Sequence, residues 1–483
     1  MKTELDSALE LLNSGKLSSA KVEFERLLSL HSDHPLLLSS LGTLHRDRGE
    51  PEVADRYYRK AYAAAPELGW IESNRLMTLN YNPACSLEEI VRVHVDWGNS
   101  GIVPPGNPRL RNSPVPDKRI HVGLVSGDLR WHSVAFFLLG LLEHFDRQKL
   151  EITVFCENEK SDEMTDILRS FCDGWVETQS KTDLDFQKTA LRSRIDVLID
   201  LSGHTARHRQ QAFALRCAPI QLSWLGYPTV TGNPQMDYWM NDSDNSLDSK
   251  PFGLKERVVN LDGGVHVYHP PVTSEELPLR DHAEASRDWV TLGCFNNRAK
   301  ITVALLELWA EILEERPKTK LLLKSIVFVD LEEREKVIGI FESNGIEPGR
   351  IELLERSPST MDHLKEYRRV DIALDTFPYN GTTTTFEALW MGVPVVTQTG
   401  EPHASRVGSS ILRTLGRRDW ITESAKEYKS SVLRLIDDAE DRSVFRQQAR
   451  ELLFKSGLTD SKRFSRKFEA KIRDLWVNYC SGK

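Results

Sequence analysis

VDIALDTFPYNGTTTTFEALWMGVPVVTQTG, residues 370–400, predicts a strand, a turn, a helix and a second strand within one short segment. The apolar run from Val370 to Leu374 is typical of a buried strand, and the turn after it ends at Gly381. Apolar residues then recur at helical spacing until Gly392, which ends the helix before a second β-branched strand. Two strands joined by a helix form a parallel βαβ unit, so this segment predicts an α/β fold.

The start of the predicted helix has the features of an anion site. Its first N–H groups lack partners within the helix, and they lie at the positive end of the helix dipole. Thr382, Thr383 and Thr384 add hydroxyl groups at the same place, and Glu387 follows on the same face, where it can accept hydrogen bonds from a ribose. These features predict a nucleotide site, in particular one for a nucleotide-sugar. The alternative is that the threonines only cap the helix and that Glu387 is a solvated acid, although consecutive threonines are poor helix formers.

Length and composition indicate a globular protein of two or three domains. The chain has 483 residues, 40% of them hydrophobic and 28% charged, and a net charge of −8, which does not favour nucleic acid as a partner. The six cysteines are scattered without a CxxC pair, which is typical of reduced thiols in a cytosolic protein and does not indicate a metal site. We see no signal peptide and no membrane-length apolar run, so we expect a cytoplasmic protein without a membrane partner.

Residues 1–100 are predicted to form helical repeats and connecting helices. Three positions recur at the 34-residue spacing of tetratricopeptide repeats: Gly15, Ala20 and Phe24 are matched by Gly49, Ala54 and Tyr58. We expect these repeats to pack on the domain that follows them. They are either a helical cap or a protein-docking surface, and the sequence leaves both open. Residues 101–117, rich in proline, predict a linker.

Residues 118–275 predict a first α/β lobe, on the acceptor side. Its predicted strands are Ile120–Val125, Ile152–Cys156, Val197–Leu201 and Ile220–Trp224. Loops at the carboxyl ends of such strands collect functional groups, and two of these loops carry His132 and His204. A histidine there could bind a sugar hydroxyl or act as a base, so both are candidate catalytic residues; a structural role is the alternative.

Residues 276–483 predict a second α/β lobe, on the nucleotide-sugar side, followed by C-terminal helices. Its first strand, Trp289–Phe295, leads into a turn that places Lys300 before a helix, where an ammonium can meet a phosphate. A surface lysine is the alternative. His363 begins the helix before Val370, and Gly400–Gly408 forms a second loop that leads from a strand into a helix.

Six motifs, in order along residues 118–440, resemble the O-GlcNAc transferase/SPINDLY family. They are DLSGHT (200–205), APIQLSWLGYPTVTG (218–232), MDYWMND (236–242), LGCFNNRAKIT (292–302), LDTFPYNGTTTTFEALWMGVPVVT (374–397) and GEPHASRVG (400–408). The resemblance implies tetratricopeptide repeats coupled to a two-lobed GT-B glycosyltransferase. It also implies transfer of one sugar from a nucleotide donor to Ser or Thr of a protein, with inversion and without a metal or other cofactor.

The resemblance also implies roles for single residues. Lys300 and Asn297 would lie beside the donor pyrophosphate, together with Thr383 and Thr384. Glu387 would contact the ribose. His132 would lie near the reacting centre and His363 near the nucleotide base.

Three positions differ from O-GlcNAc transferases and are more similar to SPINDLY. Thr382 replaces a histidine, Thr360 replaces a lysine and Asn297 replaces a glutamine. The implied donor is therefore UDP-GlcNAc by the family as a whole, or GDP-fucose by the nearest motifs. Two other functions remain open, namely a GT-B enzyme for a small-molecule or lipid acceptor, and a non-catalytic scaffold that binds a nucleotide-sugar.

Overall fold

The computed structural model describes residues 2–100, 107–243, 254–271, 273, 275–280 and 288–482. It contains a helical region and two parallel sheets with intervening helices, which confirms the predicted fold class. Residues 101–106 of the predicted linker lie outside the described residues. Its remainder, 107–117, contains no helix or strand.

The helical region consists of α1 (Lys2–Asn13), α2 (Leu17–Leu30), α3 (Pro35–Asp47), α4 (Pro51–Ala64), α5 (Gly69–Leu79) and α6 (Leu87–Asn99). The two glycines picked out by the 34-residue spacing, Gly15 and Gly49, lie in the turns after α1 and α3 with φ of 81° and 71°. Glycine adopts this left-handed region without steric cost. Inside the second repeat, Ala54 and Tyr58 are fully buried, which agrees with the repeat pattern.

The first sheet has seven strands in the order β3-β2-β1-β4-β5-β6-β7, all parallel. The strands are β1 (Ile120–Ser126), β2 (Leu150–Cys156), β3 (Gly174–Glu177), β4 (Val197–Asp200), β5 (Ile220–Ser223), β6 (Tyr238–Asn241) and β7 (Arg257–Asn260). The helices are α7 (Ser133–His144), α8 (Glu163–Ser170), α9 (Asp183–Arg192) and α10 (Gln210–Ala214). The four predicted strands are present. The sequence did not predict β3, β6 and β7, which are four-residue strands towards the two edges of the sheet.

The second sheet has six parallel strands in the order β10-β9-β8-β11-β12-β13. They are β8 (Val290–Cys294), β9 (Thr319–Lys324), β10 (Ile351–Leu354), β11 (Ile372–Leu374), β12 (Val395–Gln398) and β13 (Ile421–Thr422). The helices are α11 (Val303–Glu315), α12 (Leu331–Ser343), α13 (Thr360–Glu366), α14 (Thr383–Trp390), α15 (Val407–Leu415) and α16 (Ala425–Asp437). The C-terminal helices are α17 (Ala439–Ser456) and α18 (Ser461–Cys480).

The chain forms two compact units, and each unit combines segments that are far apart in the sequence. One comprises Met1–Ser86 with Pro270–Leu453, and the other comprises Leu87–His269 with Phe454–Lys483. Helices α1–α5 therefore pack in the unit of the second sheet. Our expectation that they pack on the domain that follows them in the chain was wrong. Helix α18 packs in the unit of the first sheet, where Phe468 lies 5.4 Å from the ring of Trp224. Such packing depends on complementary faces far apart in sequence, which chain order does not reveal.

Candidate active site

The loop after β11 is organised around the carboxylate of Asp375. Oδ1 accepts hydrogen bonds from the Gly381 and Thr376 N–H groups at 2.6 and 2.9 Å, and Oδ2 accepts one from Thr397 Oγ1 at 2.6 Å. Burial raises the pKa of Asp375 to about 6, although these donors and the Lys300 ammonium hold it lower than burial alone would. The carboxylate thereby fixes the loop that leads into α14.

The threonine run does form the start of α14, as predicted. Thr382 is the N-cap residue, but its side chain caps no helix N–H, and Thr382, Thr383 and Thr384 are only half-buried. Thr384 Oγ1 donates to Asn296 Oδ1 at 2.8 Å. Because the helix is capped by no side chain, its first N–H groups are left for a ligand anion or for solvent.

Lys300 lies beside this helix start because β8 and β11 are neighbours in the sheet. Leu292 and Gly293 of β8 pair with Ile372 and Ala373 of β11, so the loops after both strands leave the same edge. Lys300 Nζ donates to the Asn380 carbonyl oxygen at 2.7 Å and sits 3.9 Å from the ring centroid of Tyr379. Burial lowers the pKa of Lys300 to about 8, and the Asp375 carboxylate opposes that shift. Lys300 is therefore not a freely solvated surface lysine.

The two asparagines before Lys300 differ in their burial and in their hydrogen-bond partners. Asn297, the predicted site residue, is exposed, and its Oδ1 accepts the Ala299 N–H at 3.0 Å at the start of a short 3₁₀ turn. Asn296 is buried and reaches α14 through Thr384. Sequence reasoning missed Asn296, although it lies closer to the end of β8 than Asn297 does.

Glu387 is buried and oriented, so it is not the solvated acid of the alternative interpretation. It is only 4% exposed, and its Oε2 lies 3.0 Å from His363 Nε2 and accepts from Tyr367 OH at 3.4 Å. Lys324 Nζ is hydrogen-bonded to His363 Nδ1. An ammonium can only donate, so Nδ1 accepts and Nε2 carries the proton towards Glu387. Glu387 and His363, which were predicted separately as donor-binding residues, are thus brought together by the fold.

In the first sheet's unit, His132 is accessible. It is the N-cap of α7, where its Nδ1 accepts the Val134 N–H at 3.3 Å, and its side chain is 37% exposed. Its Nε2 lies 3.8 Å from Asp128 Oδ1. Burial lowers the pKa of His132, and the Asp128 carboxylate opposes that shift. The ring is thus held by the backbone at Nδ1 and remains partly exposed.

His204 is buried inside the unit, whereas we predicted that it would line a substrate cleft. It is 1% exposed, its Nε2 donates to the Thr231 carbonyl oxygen at 2.8 Å, and its ring packs edge-on against Trp97 at 4.5 Å. Burial lowers the pKa of His204 well below its ordinary value. These surroundings are typical of a histidine in a protein core. The sequence showed that His204 lies in a loop after a strand, but it did not show that residues of α6 and of the loop after β5 cover it.

Several site residues were not singled out from the sequence. They are Asn296, Lys324, Asp375, Tyr379 and Asn380. Lys324 ends β9, and Asp375 directly follows β11, so the rule that functional groups collect at the carboxyl ends of parallel strands would have pointed to both. The loop after β12 also reaches the site, because the Asn380 N–H donates to the Ala404 carbonyl oxygen at 2.8 Å.

Comparison with known families identifies the chain's relatives. The model for glycosyl transferase family 41 matches residues 108–257 and 273–468. The chain belongs to glycosyl transferase family 41. A "probable UDP-N-acetylglucosamine--peptide N-acetylglucosaminyltransferase SPINDLY" from Solanum lycopersicum is 35% identical over 85% of this chain and 44% of the relative. The protein of the same name from Arabidopsis thaliana is 33% identical over 85% of this chain and 45% of its own length.

Among solved structures, an O-GlcNAc transferase mutant from Thermobaculum terrenum matches this family member with a TM-score of 0.91. The match has 31% identity and covers 98% of this chain and 90% of that one. The curated SPINDLY relatives are longer, and this chain spans less than half of their length. Across the described ranges, no helix is long and apolar enough to cross a membrane.

Proposed function

We propose that this chain is an inverting, metal-independent protein O-glycosyltransferase. It would move a single sugar, GlcNAc or fucose, from UDP-GlcNAc or GDP-fucose to a serine or threonine of a protein. The observation that carries the proposal is the meeting of Lys300 with the uncapped start of α14 at adjacent strand ends. The relatives named as peptide N-acetylglucosaminyltransferases and the O-GlcNAc transferase of Thermobaculum terrenum support the same reaction class.

In this proposal the second sheet's unit binds the donor. Lys300 and the N–H groups at Thr383 and Thr384 would hold the diphosphate and stabilise the charge that develops as it departs. Both hydrogen bonds on the Glu387 carboxylate end on Oε2, so Oε1 can accept from a ribose hydroxyl. His363, oriented by Lys324, would pack near the base.

The acceptor side of the proposal rests on His132. Its exposed ring and lowered pKa make it a neutral group near physiological pH that can accept a hydrogen bond from a sugar or from the acceptor hydroxyl. We assign His204 a structural role because it is buried, packs against Trp97 and is hydrogen-bonded to the Thr231 carbonyl oxygen. A cytoplasmic location belongs to the proposal, and the six cysteines, none of which forms a disulfide, fit it.

The first experiment is a thermal-shift screen of the purified chain with UDP, GDP, UDP-GlcNAc and GDP-fucose. A ligand that binds only the native state raises the melting temperature of the protein, and the increase grows with the ratio of ligand concentration to dissociation constant. The nucleotide that fits the site should therefore give the largest increase. Mass spectrometry of proteins co-expressed with the chain, and transfer assays in EDTA, then test acceptor class and metal independence. Binding without turnover would favour the scaffold function, and modification of lipids or small molecules alone would contradict a protein acceptor.

Lys300→Met should lower the transfer rate by about 100-fold to 1000-fold, because one preorganised charge donor to the leaving group is removed. Lys320→Met is the matched control. Lys320 also lies over an aromatic ring, 5.1 Å from Trp289, but near the amino end of β9 and away from the candidate site. Equal activity of Lys300→Met and Lys320→Met would remove Lys300 from the reaction.

A further inference from the structure

The helical repeats pack against the loops that build the candidate donor site. A Cβ on Gly15 would lie 2.5 Å from the Ile326 carbonyl oxygen, and one on Gly49 would lie 2.5 Å from the Ile301 carbonyl oxygen. Ile326 follows β9 and Ile301 follows the Lys300 turn after β8, and these strands are neighbours. The two repeat turns therefore contact the same edge of the sheet from which the donor-site loops leave.

A part-buried pair of hydrogen bonds and a buried ion pair hold this interface. Ser18 Oγ donates to Asp330 Oδ1 at 2.9 Å, and the Ser18 N–H donates to Asp330 Oδ2 at 2.6 Å. Arg48 Nε lies 2.7 Å from Glu333 Oε1, and both side chains are at most 5% exposed. Buried pairs of this kind fix one arrangement because neither partner can be moved away without leaving a charge unpaired.

Tyr81, which follows α5, directly contacts the loop between β11 and α14 that forms part of the candidate donor site. Its ring centroid lies 4.9 Å from that of Tyr379 at an angle of 45°, and Tyr81 is 8% exposed. The Lys300 ammonium also lies close to this ring, 3.9 Å from the Tyr379 centroid. Contacts through the Tyr379 ring thus connect Tyr81 of the helical region to Lys300 at the candidate phosphate site.

We propose that Tyr81 is a positioning residue for the donor diphosphate, because its ring holds Tyr379 beneath the Lys300 ammonium. An aromatic face attracts a cation only when the ring stays within about 6 Å of it, and a second ring packed behind it restricts its motion. The helical repeats are then part of the donor site, and the inference rests on the proposed function.

The test is a double-mutant cycle in the full chain, with affinity for GDP and for UDP measured by titration calorimetry. Tyr81→Ala should weaken binding of the nucleotide that wild type prefers by about fivefold to tenfold. The same substitution in a Lys300→Met background should weaken it less than about twofold, since Tyr81 acts through Lys300. Tyr81→Phe should bind like wild type, because the ring and not the hydroxyl makes the contact.

Two further variants separate this role from a loss of structure. Tyr62→Ala is the control, since Tyr62 is a half-buried tyrosine of the same repeats that packs on their own core; it should bind nucleotide like wild type. Tyr81→Leu keeps apolar volume without a ring face, so it should fold with a melting temperature near that of wild type and still bind weakly.

Wild-type affinity in both Tyr81→Ala and Tyr81→Leu would overturn the inference. So would an equal loss with and without Lys300, which would show that Tyr81 acts on the structure in general. Both of these results presuppose a wild-type chain that binds nucleotide. A wild-type chain that binds neither GDP nor UDP would instead overturn the proposed function and this inference with it.

Discussion

At the scale of single residues, the decisive group is the Lys300 ammonium. Burial lowers its pKa to about 8, while the Asp375 carboxylate opposes that shift. The other titratable groups that face it stay neutral near pH 8, because burial raises the pKa of Cys294 to about 12 and that of Tyr379 well above its ordinary value. Lys300 therefore changes charge in a pH range where binding can be measured.

Nucleotide affinity should fall as the pH rises through about 8. Below its pKa Lys300 is protonated and attracts the diphosphate, and above it the charge and one hydrogen-bond donor are lost. Titration calorimetry with GDP or UDP between about pH 7 and pH 10 measures this dependence. Lys300→Met should bind more weakly at low pH and lack the decrease near pH 8. A wild-type affinity that does not change over this range would contradict the assignment of Lys300 to the phosphates.

At the scale of elements, the start of α14 depends on a glycine for space and not for an unusual φ. The Gly381 N–H donates to Asp375, and a Cβ there would collide with Thr384 Oγ1 and lie 2.9 Å from Thr385 Oγ1 and 3.0 Å from Asn296 Oδ1. These oxygens belong to the helix start and to the loop after β8. The closeness of the two loops, on which the donor site depends, thus requires that this position carry no side chain.

Gly381→Ala should lower nucleotide affinity at least about tenfold, with a stability cost of about 1–3 kcal/mol from overpacking. Affinity is measured by calorimetry and stability by the melting temperature. Gly349→Ala is the matched control, because a Cβ at Gly349 meets nothing within 4 Å. A Gly381→Ala variant that binds as wild type does would show that the two loops can separate without harm to the site.

The sequence of this element was sufficient to predict most of its structure. The predicted strand, helix and strand of residues 370–400 correspond to β11, α14 and β12, because apolar spacing and glycine positions act over a few residues. Lys300 and the threonines could be placed at strand ends for the same reason. Asp375 could have been placed at a strand end by the same rule, but its hydrogen bonds with Gly381, Thr376 and Thr397 appear only in the folded chain.

At the scale of the whole molecule, the helical repeats and the second sheet form one compact unit. Arg48 pairs with Glu333 inside this unit, and Lys336 contacts Glu50, 286 residues away in the chain, at the same face. Burial raises the pKa of Glu333, and the Arg48 guanidinium opposes that shift. The stability of this unit therefore depends on charges that only the folded chain brings together.

Arg48→Met should destabilise the unit by about 3–5 kcal/mol, because it leaves the Glu333 carboxylate buried and unpaired. Urea unfolding followed by tryptophan fluorescence should show a lower midpoint. Arg59→Met is the control: Arg59 pairs with Asp55 at 2.6 Å but is 56% exposed, and such a pair contributes at most about 1 kcal/mol. Equal midpoints for the two variants would mean that the Arg48 pair does not hold the repeats to the sheet.

The amino-acid sequence by itself determined the α/β class, the repeat spacing at Gly15 and Gly49, and the strand-end positions of Lys300 and the threonines. These features follow from periodicity and turn chemistry, which are local along the chain. Only the tertiary structure decided that the repeats pack in the unit of the second sheet, that Tyr81 packs against Tyr379, that His363 meets Glu387, and that His204 is buried. Each of these depends on which surfaces bury one another across long stretches of chain, and no short-range pattern encodes that choice.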